Sequence, residues 1–356
     1  MRSSRSLIFP CLRRTALLIV ALVQLASLAA CGGGGGYGGG GGNMPVAGVG
    51  PSKVFAADSG HKAIGSLANP DPGAGAIAID RTIMGPLYTG LSGNIGSLAL
   101  DPALDYLYVG NGASILVFNG ASQANGDVSP SRIISSNPGF GNTGSMFLDT
   151  THNALYVGDD LAGVRVFKGI SGLATGTQTP DHSVTGNFGT AFTIRGVAVD
   201  TTTKDILYVS NDMTSPSTSH QILVFDAGST VTTAAPARTI TPTDSATHTL
   251  NFTVGGIAVD ATRDLLYVGG GTVTFGVMVF SNASAATGMI APDKIFNIPG
   301  VIAKVVIDPV ADRLYAINSS FIYVIDGAST ALGSVTAKAV QAPALGNFTA
   351  FAVNPN

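Results

Sequence analysis

The sequence predicts an all-β fold: a six-bladed β-propeller of four-stranded antiparallel blades, closed by the C-terminal strand joining the first blade. Three observations carry this. One phrase returns along the chain, as LALDPALDYLYVGN (98–111), MFLDTTHNALYVGD (146–159), VAVDTTTKDILYVSN (197–211), IAVDATRDLLYVGG (257–270) and VVIDPVADRLYAIN (305–318). A shorter apolar phrase follows each copy, and a second, of the RTI type, follows several of them. Finally, the ends are complementary, since FAVNPN at 351–356 carries the first half of the phrase and VFAADSG at 54–60 its second. Short strands repeated in this way build a radially repeated sheet rather than an open one.

Each unit reads as four strands, a to d. In the second unit, strand a covers 95–100, b 106–110, c 115–118 and d 132–134. Strand c recurs as VRVF (164–167), ILVF (222–225), VMVF (277–280) and IYVI (322–325), and strand d as RTI (81–83), RTI (238–240) and KIF (294–296). β-Branched and aromatic residues between Gly, Asn, Asp and Pro clusters support strands throughout. The first unit has b, c and d but no a; the last segment, 349–353, is an a strand alone. Six complete blades result if that strand joins the first three, which leaves no open edge around the ring. Reading 77–90 as a further a–b pair fails, because no c strand follows Leu87 and Tyr88.

The first 30 residues read as an export leader. Arg2, Arg5, Arg13 and Arg14 precede an apolar run from Thr15 to Ala30, too short for a normal spanning helix. Residues 31–52 follow as a tether, with Gly32–Gly36 and Gly38–Gly42 flanking Tyr37. Such a segment has no surface to bury and stays flexible. The propeller is expected to occupy 53–356. Besides Cys31 the chain has only Cys11, in the leader, so the exported domain must hold itself by its core. Without the leader's four arginines, 14 basic residues remain against 21 acidic ones, all Asp, for a net charge of −7. An acidic surface without basic runs excludes nucleic acid as an expected partner.

The recurring Asp residues read as turn chemistry. Asp101, Asp149, Asp200, Asp260 and Asp308 end each strand a, and Asp105, Asn153, Asp205, Asp264 and Asp312 follow. Each pair brackets a tight hairpin, where such side chains bond the backbone and tolerate left-handed φ. The Tyr of each LYV phrase is expected to pack between blades.

Candidate sites fall on the opposite face, in the b–c and d–a loops, where the copies differ. Strand b ends at Asp58, Asn111, Asp159, Asn211, Gly270 and Asn318. Five oxygen-bearing side chains on one ring suit Ca²⁺, which takes hard oxygen ligands; equally, each caps its own turn. Phe188, Phe252 and Phe348 each follow an Asn in a d–a loop, either rimming a ligand pocket or plugging the gaps between blades. In the fourth unit the b–c loop (210–221) and d–a loop (241–255) read as long. They bring Asp212, His220, Asp244 and His248 to one face, where they serve as ligand-face candidates or as loop decoration. The chain has no G-x-S-x-G, no H-E-x-x-H, no Glu and no Trp, so no complete catalytic constellation is present.

Two resemblances add to this. Leu28-Ala29-Ala30-Cys31 resembles a bacterial lipobox, which implies cleavage before Cys31, lipidation there and a membrane anchor through acyl chains. With Gly32 next, the outer membrane is expected over the inner. The LYVGN and LYVSN phrases, with D-x₃-D before them, resemble the YVTN and NHL-type repeats of bacterial β-propellers. That likeness implies an extracytoplasmic binding or scaffold module whose partner is an envelope protein or small ligand. Six-bladed relatives of the gluconolactonase and paraoxonase kind imply an alternative, a Ca²⁺-dependent lactonase or esterase. In that reading Asn111, Asp159, Asn211 and Asn318 hold the ion and Asp58 acts as base. The chain departs from that pattern in lacking the Glu typical of their metal sites.

Overall fold

The computed structural model describes residues 54–67, 76, 78–91, 94–215, 219–232, 235–245, 248–249, 253–271, 276–331, 337–342 and 345–354. The leader, Cys31 and the Gly-rich tether lie outside them. The described chain forms six mainly antiparallel sheets, each a blade of four core strands. Blade 2 is typical: a Ile95–Asp101, b Tyr106–Asn111, c Ser114–Asn119 and d Arg132–Ser136. Blade 1 takes its strand a from the other end of the chain. Phe348–Val353 pairs antiparallel with Val54–Asp58, which is followed by Ala63–Leu67 and Ile79–Ile83. No described helix is long and apolar enough to cross a membrane.

Both faces of every blade are buried, which explains why strands b and c read as continuous apolar runs. In Val54–Asp58, Val54 and Ala56 pack towards blade 6, while Phe55 and Ala57 pack towards blade 2. Alternation therefore chooses a neighbour rather than choosing between core and solvent. The recurrent tyrosines fill these interfaces: Tyr108, Tyr156, Tyr208 and Tyr267 are at most 1% exposed. Burial drives the hydroxyl pKa of Tyr156, Tyr208 and Tyr267 well above the ordinary value.

The a–b hairpins behave as the Asp pattern predicts. Oδ1 of Asp101, Asp149, Asp260 and Asp308 accepts the backbone N–H groups two and three residues on. The second Asx of each pair has positive φ, between 48° and 55°. It also does work the sequence did not announce. Asp105, Asp205, Asp264 and Asp312 each accept both the backbone N–H and the hydroxyl of a serine just past strand c: Ser122, Ser229, Ser284 and Ser329.

A second, unanticipated set of contacts runs around the outer rim. The segment between strands c and d of one blade lies against strand d of the preceding blade. In blade 3, Gly176–Gln178 pairs parallel with Arg132–Ser136 of blade 2. Gly288–Ile290 of blade 5 pairs likewise with strand d of blade 4. Single bridges join Gly126 to Ile83, and Ala76 to Gln341 across the closure, and Thr185 N–H donates to Thr232 O between blades 3 and 4. These contacts cover the outermost strand edges, which would otherwise offer unpaired backbone groups to other chains.

Candidate functional site

The six a strands enclose a central channel. At one level of the channel stand Ala350, Ser97, Ser145, Gly196, Gly256 and Lys304, one residue from each blade. Five are small because the inner strands nearly touch here. A Cβ on Gly256 would lie 2.8 Å from Cα of Lys304. The neighbouring blades are also bonded at this level, Ser97 Oγ donating to Thr143 O at 2.6 Å and Ser210 Oγ to Gly255 O at 2.7 Å. Only about 50 Å³ of free volume remains in the throat.

Lys304 breaks the pattern. Its Nζ crosses from blade 6 to donate to Gly144 O at 2.5 Å and Arg195 O at 3.2 Å, on blades 3 and 4. Lys304 is half-buried and lines both the throat and the cavity above it. Desolvation and, after it, the Arg195 charge lower its pKa to about 8, against the opposing charge of Asp160.

Above the throat, on the b–c and d–a face, opens a cavity of about 340 Å³ whose polar lining is Asn142, Thr193, Arg195, Thr253, Thr349 and Lys304. Arg195 is the extra residue of a β-bulge, since Ile194 pairs with Asn211 and Gly196 with Ser210. Such bulges re-aim a side chain. Arg195 Nε donates to Asp212 Oδ2 at 3.0 Å, and Asp212 Oδ1 meets His220 Nδ1 at 2.8 Å. The opposite mouth, on the hairpin face, is a funnel of about 490 Å³ with Phe147, Leu148, Val199 and Val259 among its walls.

The ring of strand-b termini is placed differently from the channel lining. Asn111 Nδ2 donates to Gly90 O, Asn211 Nδ2 to Phe188 O and Asn318 Nδ2 to Pro299 O. Asp58 Oδ2 accepts from the N–H groups of Gly346 and Asn347 and meets His61 Nδ1 at 2.6 Å. Burial alone would raise the Asp58 carboxyl; the His61 ring and three backbone N–H groups outweigh it and hold the pKa below the usual value. Asp159 Oδ1 accepts from Gly141 N–H and Oδ2 pairs with Arg165 at 2.6 Å. Each of the five thus bonds the backbone of the d–a loop beside it. Among the described residues, no group of three or more His, Cys, Asp or Glu is arranged to hold a metal.

Phe188 and Phe348 are 3% and 2% exposed and belong to the interblade cores. Phe188 lies 6.0 Å from the Phe225 ring. They plug gaps and form no ligand rim, as expected where a large ring follows a strand end beside an apolar neighbour. Phe252 lies outside the described residues, as do the side chains of Asp244 and His248. The long loops of blade 4 need correcting. Strand b runs on to Ser215 and strand c begins at Ser219, with Asp212 opposite His220. The apparent d–a loop likewise carries strand d as far as Ser245, paired with His248–Thr249. The extensions are mainly polar, Asn-Asp-Met-Thr-Ser at 211–215 and Thr-Pro-Thr-Asp-Ser at 241–245, which is why the composition suggested irregular chain.

Sequence reasoning missed Lys304 and Arg195. The signal for Lys304 was present: the residue before each copy of the phrase is Ser97, Ser145, Gly196, Gly256 and Lys304, so one column holds small residues and a single charge. For Arg195 no signal existed, because a bulge is a pairing event that sequence does not display. No family model matches the chain, and no curated protein matches it significantly. Fold and site together define a closed six-bladed β-propeller with a polar cavity at one mouth of its channel.

Proposed function

We propose that the protein is a lipid-anchored envelope propeller that acts as a non-catalytic binding module through its b–c and d–a face. The carrying observation is the asymmetry between the two faces. The hairpin face repeats one Asx-turn design in blade after blade, whereas the other face bears the polar cavity and the projecting arms of blade 4. Function resides where a rigid scaffold presents variable segments. Replacing residues 213–219 by a two-residue turn is expected to abolish partner capture by the purified propeller while leaving its Tm unchanged. Equal capture by that variant and the parent overturns the assignment.

Anchoring rests on the lipobox-like leader alone. In a bacterial host fed a palmitate analogue, the parent is expected to carry label and sediment with membranes. Cys31→Ala is expected to lose both properties. Labelled Cys31→Ala protein would remove the anchor from this reading.

A further inference from the structure

We infer that the mouth cavity is a binding site for a small organic monocarboxylate, held between Lys304 and Arg195. The inference rests on the loop-face reading above and names the ligand class. Three independent observations lead to it. The repeat requires only a small residue at the Lys304 position, as the other five blades show, so the repeat itself does not call for a lysine. Its ammonium is desolvated yet meets only carbonyl oxygens, of Gly144 and Arg195. No described carboxylate lies within ion-pair distance of it; the described ion pairs involve other cations. The Arg195 guanidinium, 48% exposed, lines the same cavity and bonds Asp212 through Nε. A carboxylate entering here takes the free donor of Lys304 and the terminal Nη groups of Arg195, relieving the repulsion between two like charges.

Size and charge narrow the class. About 340 Å³ is at the small end of ligand sites. Asp160 and Asp212 stand beside the two cations, Asp160 Oδ1 accepting from Ile194 N–H. They leave the local charge near zero and oppose a phosphate dianion. Around Lys304 the charged and titratable groups are therefore Arg195, Asp160, Asp212 and His220. Desolvation brings the pKa of the Lys304 ammonium down to about 8, so its charge is the one the pH series below follows.

The test titrates the complete propeller with butyrate, benzoate and inorganic phosphate at constant ionic strength, by calorimetry and melting. Butyrate or benzoate is expected to bind, to raise the Tm and to weaken at least tenfold in both Lys304→Met and Arg195→Gln. Binding should also fade as pH rises from 7.5 to 9.5. Equal affinity in the variants, phosphate in preference to carboxylate, or no heat from either carboxylate up to about 50 mM overturns the proposal. Should Lys304→Met fail to fold, acetylation of Lys304 in the parent, followed by mass spectrometry, decides the matter. Butyrate must slow it, and an unchanged rate sinks the site. Intact partner capture alongside failed carboxylate binding refutes this inference and leaves the loop-face reading standing.

Discussion

A chain ending at Gly346 is expected to lose the propeller entirely, not one strand of it. The deleted Phe348–Val353 is strand a of blade 1, bonded to Val54–Asp58. Phe348 and Phe351 are 2% and 3% exposed, and the Phe351 ring lies 6.4 Å from Tyr315 of blade 6. Burying such a ring contributes about 2–3 kcal/mol. Two rings, the Ala350, Ala352 and Val353 side chains and a ladder of hydrogen bonds together rival the roughly 5–15 kcal/mol that stabilises a typical domain. The truncated protein should elute as aggregate and show no cooperative melt. A permutant supplies the control: residues 347–354 placed before Val54 through a short turn, with the chain ending at Gly346. It should melt near the parent. A truncated protein that melts cooperatively within a few degrees of the parent would show that closure contributes little.

Breaking the buried ion pair of blade 3 is expected to be the most damaging single substitution. Arg165 and Asp159 have side chains 2% and 0% exposed and meet at 2.6 Å. Arg165 also bonds Ser136 Oγ, Pro138 O and Gly139 O, and lies 5.3 Å over the Phe140 ring. Arg165→Leu leaves a carboxylate in the core and three acceptors without their donor, a loss of about 3–5 kcal/mol. At about 2–4 °C per kcal/mol for a domain of this order, the Tm should fall on the order of 10 °C. The repeat suggests the rescue. Blade 2 carries Leu116 with Asn111 at these two positions, and blade 4 carries Leu223 with Asn211. Arg165→Leu combined with Asp159→Asn rebuilds that pair and should recover much of the loss. A double variant no more stable than Arg165→Leu would mean that the pair is not the unit of the interaction.

The ring was legible because its physics is local and repeated. Strand b announces itself through LYV, and the hairpin Asx residues through their spacing. Strand d of blades 3 and 6, His182–Val184 and Lys338–Val340, escaped notice because HSV and KAV are short and lack the Arg-Thr-Ile pattern. The candidate site was less legible. Composition left Asp58, Asn111 and Asn318 as either ion ligands or turn caps, because it does not show that an Asx side chain at a strand end bonds a neighbouring loop's backbone. Burial decided between the two readings of Phe188 and Phe348, since no sequence feature separates a rim aromatic from an interface one. Arg195 needed the bulge, and Lys304 needed the observation that five equivalent positions are small. The rim contacts, being parallel pairings between blades, leave almost no trace in composition.

The chain enters the ring on an inner strand. Val54 pairs with Val353 on one side and Leu67 on the other, and the next residues up to Asp58 are held from both flanks. Tension arriving from upstream of Val54, along the strand, would have to shear two ladders at once, because no edge is available to peel. One of those ladders belongs to the last strand of the described chain, so a pull at the start is borne by the end. Under load from that side the ring would therefore be gripped most firmly at its first described strand.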